Sequence, residues 1–442
     1  MKTIIRLSGM LFAVLLLVTL TSCNNSTPSG PEVQDINPFS NGSNERNLIV
    51  VLSDVHLGAD LAYAEIKNNL PALEKLLKKI KASPNVKELV IAGDLLDEWF
   101  VPAPLDTYQG KNQADFVQRI ATANKGVIDA FNAIIQEGKI LVTYVPGNHD
   151  LTITAENVSL IMPGINQARD EKGLGTYTPA GLPQLAVEHG HRYNFFCAPD
   201  PLTNQTIAPG TITPPGYFFT RIAALHVQQK YPPAGDTVKI IVPDPAYDES
   251  QRLLYTYWKI WEWALNFLTI KNKFNEQLIV TNIDGFTGTF SVNDLVPFQT
   301  SPGGALDVSL YKGIQDSWKQ RQILNRVPVE IPTDRAIVNS SSFTETDEQA
   351  KMQYFMNPSS NKRLVVFGHS HDPKIVASQN TAGEKCIYAN SGTWIDDNPK
   401  RTKMNFVIIT PQSSVPTTQT FVRLYNFEKE VFTKMAEESV RF

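Results

Sequence analysis

From residue 47 onward, short runs that are apolar at nearly every position alternate with stretches whose apolar residues recur every three to four positions. Leu48–Leu52, Glu88–Ala92, Ile140–Val145 and Leu185–Val187 read as strands, and Tyr63–Ile80 and Ala114–Glu137 as helices between them. This alternation predicts an α/β domain. It resumes with Leu364–Phe367, Cys386–Ala389, Asn405–Ile409 and Thr420–Tyr425. Between these halves the texture changes. Proline-rich stretches flank a single aromatic helical pattern, Gln251–Phe274, whose apolar stripe reads as a buried cap helix or as a lid that accepts an acyl chain or a sugar–nucleotide base. The segment is too long for a plain loop. The organisation predicted is a sheet domain formed by residues 47–196 and 361–427, a large inserted cap over residues 197–360, and a C-terminal tail at 428–442.

The first 46 residues follow neither period. Lys2 and Arg6 precede the apolar run Leu11–Leu20, which is followed by small residues: the layout of a secretory signal over residues 1–22. The run is shorter than the roughly 20 apolar residues needed to span a bilayer. Leu20-Thr21-Ser22-Cys23 resembles a bacterial lipoprotein box, which implies lipidation of Cys23, export and a membrane anchor; an ordinary signal peptide is the plainer alternative. Residues 23–46, rich in Ser, Asn, Pro and Gly, read as a flexible tether. Asn24 is not the Asp-type signal for inner-membrane retention, so the expected location is the cell envelope, anchored at the outer membrane.

Composition narrows the classes. The formal net charge is −4, so no overall basic field favours nucleic acid as a partner, and none is expected. Three cysteines exclude a disulfide-stapled scaffold and a cysteine-quartet zinc fold; whether Cys197 and Cys386 pair stays open. Of seven histidines, six fall in four short motifs, each just after a predicted strand.

Asp54-Val55-His56 follows the first strand, and i, i+2 residues at a strand end point to the same side, where a carboxylate and an imidazole can share an ion. Gly93-Asp94-Leu95-Leu96-Asp97 follows the second, placing Asp94 at the edge where α/β sheets bind ligands; a helix cap is the bland alternative. Gly147-Asn148-His149-Asp150 follows the third and supplies a neutral oxygen ligand beside a proton donor, although Pro-Gly-Asn is also ordinary turn chemistry. Glu188-His189-Gly190-His191 and Gly368-His369-Ser370-His371 each offer two histidines two residues apart.

Taken in order, D-x-H, G-D, G-N-H-D, H and G-H-x-H resemble the calcineurin-like metallophosphoesterase superfamily. The resemblance implies a four-layer α/β/β/α sandwich and metal-assisted hydrolysis of a phosphomonoester or phosphodiester by a hydroxide bridging two divalent ions (Mn, Fe or Zn). It places Asp54, His56 and His371 on one metal, Asn148, His189 and His369 on the other, and Asp94 between them. His149 matches the residue that contacts the phosphoryl group and protonates the leaving oxygen, and Asp97 an aspartate that orients it. His191 and Arg192, two and three residues past a ligand, are candidates for holding substrate phosphate, with a structural loop role and a salt bridge as the alternatives.

Within the superfamily, Leu95–Trp99, His189-Gly190 and Tyr388–Trp394 look like the branch containing UDP-2,3-diacylglucosamine hydrolases. Departures are clear: His149 stands where that branch has Arg, His191 where it has Asp, and the insertion is longer. The resemblance therefore carries the fold and the metal site, not that substrate. The expected partner is a phosphorylated small molecule or lipid, a nucleotide-sugar or lipid phosphate among them. Two competing readings are a non-catalytic lipoprotein that binds a phosphoryl ligand on the same fold, and a nuclease-like phosphodiesterase.

Overall fold

The computed structural model describes residues 37–342, 344–398, 402–412 and 419–442. The expected signal sequence, Cys23 and most of the expected tether lie outside the described residues. Strands, in chain order, are β1 (Leu48–Leu52), β2 (Val86–Ala92), β3 (Leu141–Val145), β4 (Asn166–Gln167), β5 (Thr176–Tyr177), β6 (Leu185–Glu188), β7 (Ile279–Ile283), β8 (Phe286–Phe290), β9 (Phe298–Gln299), β10 (Leu306–Asp307), β11 (Leu364–Phe367), β12 (Lys374–Gln379), β13 (Lys385–Asn390), β14 (Asn405–Thr410), β15 (Thr420–Glu428) and β16 (Val431–Val440). Helices are α1 (Leu70–Ala82), α2 (Gln113–Ala123), α3 (Lys125–Glu137), α4 (Ala155–Ile161), α5 (Pro215–Gln228), α6 (Glu249–Phe267), α7 (Ile314–Leu324), α8 (Thr333–Asn339) and α9 (Glu345–Ala350).

Two sheets carry the fold. One has the order β16-β15-β14-β1-β2-β3-β4, the other β12-β13-β11-β6-β5. Alternate residues of β1 explain why both faces are apolar. Ile49 and Val51 pack with Val187, Val366 and Ala389 of the second sheet, whereas Leu48, Val50 and Leu52 pack with Leu73, Leu76 and Leu77 of α1. The far side of the second sheet, through Phe367 and Tyr388, meets Tyr193, just past β6, and Tyr354 of the cap. This is the expected α/β/β/α sandwich with its inserted cap. β6 and β11 are parallel neighbours, so the whole segment between them leaves the sheet and returns beside its point of departure.

The helices differ from expectation in instructive ways. The first begins at Leu70, not Tyr63. Pro71 suits a first helical turn, while Asp396 accepts the backbone N–H groups of Lys67, Asn68 and Asn69 and holds the preceding chain out of the helix. The stretch Ala114–Glu137 is two helices, α2 and α3. Asn124 breaks it by donating its amide to the Gly58 carbonyl at 2.9 Å as well as back to Ile120. α6 runs from Glu249, capped by Asp248, to Phe267 and stops short of Phe274.

Residues 428–442 are not a tail. Ten of them form β16, antiparallel to β15 at the edge of the larger sheet. Most of its positions are exposed or half-buried, and Thr433, Lys434, Glu437 and Glu438 interrupt the apolar ones, so the run carries no apolar signature. Cys197 and Cys386 are free thiols. Among the described residues no helix is long and apolar enough to cross a membrane.

Candidate metal centre

The motifs converge where the C-terminal ends of β1, β2, β3, β6 and β11 meet. The loops after β1 and β2 continue the strand ladder, with Val55 and His56 donating to the Asp94 carbonyl at 2.9 Å. Asp150, the last residue of the third motif, accepts Gly147 N–H at 2.6 Å and Leu95 N–H at 2.8 Å and so ties the second loop to the third. Asn390 of β13 donates to the Gly368 carbonyl and the Ser370 hydroxyl, and Thr393 and Trp394 donate to the Asp54 carbonyl, which fixes the loops after β11 and β1.

Close approach explains two glycines. A Cβ on Gly147 would run into the Asp94 carboxylate and backbone nitrogen, and one on Gly368 would run into the Asp54 carboxylate. The chain also bends sharply at the chemical groups themselves. Asp54, His56, Asp94, His369 and His371 all lie in the left-handed region, with φ of 53°, 54°, 51°, 68° and 54°. Such backbone is costly for residues with a Cβ and persists where surrounding structure fixes it, commonly at functional sites.

The contacts fall into two groups. In the first, His371 Nε2 lies 3.1 Å from Asp54 Oδ1 and 3.2 Å from His56 Nε2. In the second, His189 Nε2 lies 3.1 Å from Asp94 Oδ2 and 3.0 Å from Asn148 Oδ1. The His369 ring stands edge-on to His189, with centroids 5.2 Å apart. Asp94 Oδ2 is 3.7 Å from His56 Nε2 and so faces both groups. Asp54, His56 and His371, and separately Asp54, Asp94 and His189, bring ligand atoms close enough to share an ion.

Hydrogen bonding leaves acceptor atoms facing one another there. The Ala92 carbonyl can only accept, so His189 Nδ1, 2.8 Å away, carries the hydrogen. The Nε2 of the neutral ring is then a lone pair facing two acceptor oxygens. His56 repeats the arrangement, with Nδ1 between Asp97 Oδ2 at 3.0 Å and Glu65 Oε2 at 3.2 Å and Nε2 turned to His371. Lone pairs facing lone pairs need a proton or a metal between them. Burial works against charge on His189, yet Asp94 outweighs it and pushes the imidazole up to about 9. Burial likewise opposes charge on Asp94, but His189 and His149 hold it well below the usual carboxylate range. His369 is pushed down to about 3 by burial and by His189, which keeps its lone pair free. Mixed imidazole and oxygen donors without thiolate suit Mn, Fe or Zn.

His149 stands at the edge of this cluster. Its Nδ1 lies 2.9 Å from Asp97 Oδ1, its backbone N–H donates to Asp94 at 2.8 Å, and the Trp99 ring packs 5.1 Å away. Burial alone would lower its pKa, but Asp97 and Asp94 raise it above the ordinary histidine value. Asp97 also accepts the backbone N–H groups of Trp99 and Phe100 and is held far below the usual range despite its burial. Glu65 is a member of the site that sequence reading missed. It comes from the loop before α1, with no motif around it, and only the fold carries it to His56.

The two substrate candidates lie elsewhere. Arg192 is buried in a cage of protein partners: Asp170 at 2.5 Å, Glu188 at 3.3 Å and the Asn325 carbonyl at 2.8 Å. Its charge is spent on fixing the end of β6 to the cap. His191 is buried, with Nε2 3.0 Å from the Gly173 carbonyl. Neither lines the cleft over the metal centre.

That cleft, about 370 Å³, has Asp94, Asn148, His149, His369 and His371 on one side. The opposite side comes from the cap: Phe196 and Cys197, Phe219 of α5, Ile260, Trp261, Trp263 and Ala264 of α6, and Ser340–Ser342 after α8. α6 buries Tyr257, Trp258 and Trp261, as a cap helix would, and also contributes Ile260, Trp261, Trp263 and Ala264 to the cleft lining.

Residues 48–211 match the family model for calcineurin-like phosphoesterases. The matched segment carries Asp54, His56, Asp94, Asn148, His149 and His189; the fold adds His369 and His371 from β11 to this phosphoesterase-like half-site. No curated protein matches the chain. Among solved structures, a single mutant of Vps29 from Entamoeba histolytica aligns at 10% identity over 89% of this chain and 99% of that one, with a TM-score of 0.26. The Pseudomonas putida nuclease MPE aligns at 18% identity over 36% of this chain and 56% of that one, with a TM-score of 0.20.

Proposed function

We propose that the chain is an exported, lipid-anchored hydrolase of phosphoric mono- or diesters that works with two divalent ions. The observation that carries the reading is the convergence of imidazole lone pairs and carboxylates, from five strand ends, on one wall of a cleft. Asp54, His56 and His371 would hold one ion, Asn148, His189 and His369 the other, with Asp94 shared. When bound, such ions supply Lewis-acid polarisation of a phosphoryl oxygen and of water.

The remaining steps belong to the chain itself. His149 keeps its Nδ1 hydrogen on Asp97, which leaves Nε2 as the edge that can give a proton to the leaving oxygen. Asp97 and Asp94 raise the pKa of this imidazole, which favours its charged, proton-donating form. Asp97 fixes the tautomer and, with Trp99, the ring's orientation. Glu65 and Asp97 together keep the proton of His56 on Nδ1, so that Nε2 stays a ligand. Departures at His149 and His191 from the UDP-2,3-diacylglucosamine hydrolase pattern keep that branch's substrate out of the proposal.

The test is metal-dependent turnover of p-nitrophenyl phosphate and bis-p-nitrophenyl phosphate, with Asp94→Asn alongside. Turnover that needs Mn²⁺ and disappears in the variant is the expected result. A chain that binds no metal by elemental analysis would refute the reading. One that binds two ions without turning over any ester would favour the phosphoryl-binding alternative.

A further inference from the structure

Resting on that reading, we infer that the cap makes this centre selective for phosphate esters of apolar alcohols, with α6 forming the wall that receives the alkyl or aryl group. Three observations carry the inference. Phe196, Phe219, Ile260, Trp261 and Trp263 form an apolar part of the cleft lining, with Ser340–Ser342 beside them. Two α6 rings continue it outward: Trp263 is 57% exposed and Phe267 74% exposed, and the two stack with planes 6° apart. Large aromatic surface left in water beside a cleft marks a place where an apolar group binds. Finally, the one carboxyl among the cap residues lining the cleft belongs to Glu345, which is 5% exposed and gives one oxygen to the Asn194 amide at 2.5 Å.

The electrostatics agree with the shape. Burial pushes the Glu345 carboxyl well above the usual range, which works against a charge on it, and the Cys197 thiol is pushed up as well. The cap side of the cleft therefore holds one ionisable carboxyl, buried and hydrogen-bonded, while the other side presents the donors for cations. One end of the ligand is to be anionic and the other apolar. An alkyl chain and an aromatic ring share that second property, and the experiment separates them.

The test is binding of non-hydrolysable phosphonates to the full-length chain in nanodiscs, loaded with Mn²⁺ and followed by titration calorimetry. Methyl-, propyl-, hexyl- and phenylphosphonate form the series. Affinity is expected to rise by up to about fourfold per added methylene, the gain for complete burial. The rise should flatten in Trp263→Ala and in Ile260→Ser, and should persist in Ile323→Ala, which alters an exposed residue of α7 outside the cleft. Phenylphosphonate tighter than hexylphosphonate assigns an aryl group, and the reverse order an alkyl chain. Equal affinity for methyl- and hexylphosphonate would overturn the inference while leaving metal-dependent ester turnover, and with it the proposed function, intact. No binding of any phosphonate, together with no turnover, would remove the phosphoesterase reading itself.

Discussion

Two histidine pairs follow neighbouring parallel strands at the same i, i+2 spacing, and the fold uses them differently. After β11, His369 and His371 both take left-handed backbone and both rings reach the metal centre. After β6, the intervening Gly190 takes the left-handed turn instead, with φ 106°. His189 then reaches the centre, but His191 begins a one-turn 3₁₀ helix, His191–Tyr193, and swings under the loop at Gly173. Which residue absorbs the bend decides where the second imidazole goes. Spacing alone does not: a Ser between two histidines pushes the strained conformation onto the histidines themselves, whereas a Gly takes it up.

The comparison can be broken from either side. The largest effect is expected at His369 and His371. Alanine at either should lower kcat/KM by on the order of 10³-fold, because each removes a donor from groups meant to stabilise developing charge; steady-state kinetics and metal content measured together check this. Next comes Arg192→Met, which strands the buried Glu188 carboxylate. Denaturant melts should show a loss of about 3–5 kcal/mol, with activity per folded molecule little changed. A loss of turnover without a loss of stability would instead restore Arg192 to the substrate. Gly190→Ala should cost roughly 1–2 kcal/mol through its left-handed backbone, and its Cβ would meet the Phe367 ring at 3.1 Å.

The smallest effect sharpens the contrast most. His191→Gln should keep kcat/KM within about threefold, since this ring does not line the cleft. It should nevertheless change the pH dependence of stability. Burial, then His189 and His369, hold His191 well below 6.5. Below that pH the unfolded chain takes up a proton that the native chain refuses. Native stability therefore falls as pH drops, by up to about 1.4 kcal/mol per pH unit from this group. In the Gln variant that share of the slope disappears, as thermal melts between pH 5 and 7 would show.

The sandwich was legible because its central strands are apolar on both faces, and the motifs because they follow those strands directly. What was hidden depends on contacts between distant segments. Nothing around Glu65 announces a partner, since its role exists only once the loop before α1 lies against His56. The break at Asn124 was invisible because the amide's partner, Gly58, is far away in sequence. β16 escaped notice because an edge strand with one solvated face lacks an apolar run. Arg192 was misplaced for the opposite reason. A basic residue beside a ligand invites a phosphate, and its cage of Asp170, Glu188 and Asn325 comes from three separate segments.

The parallel pairing of β6 with β11 has a consequence for the order of assembly. Asp54, Asp94, Asn148 and His189 are all synthesised before the cap, but His369 and His371 arrive only after it, and β14 must still return to pair with β1. Contacts of such sequence separation form late and slowly. A growing or truncated chain thus carries two incomplete half-sites, and the full set of candidate ligands comes together only once the segment through β14 has been made.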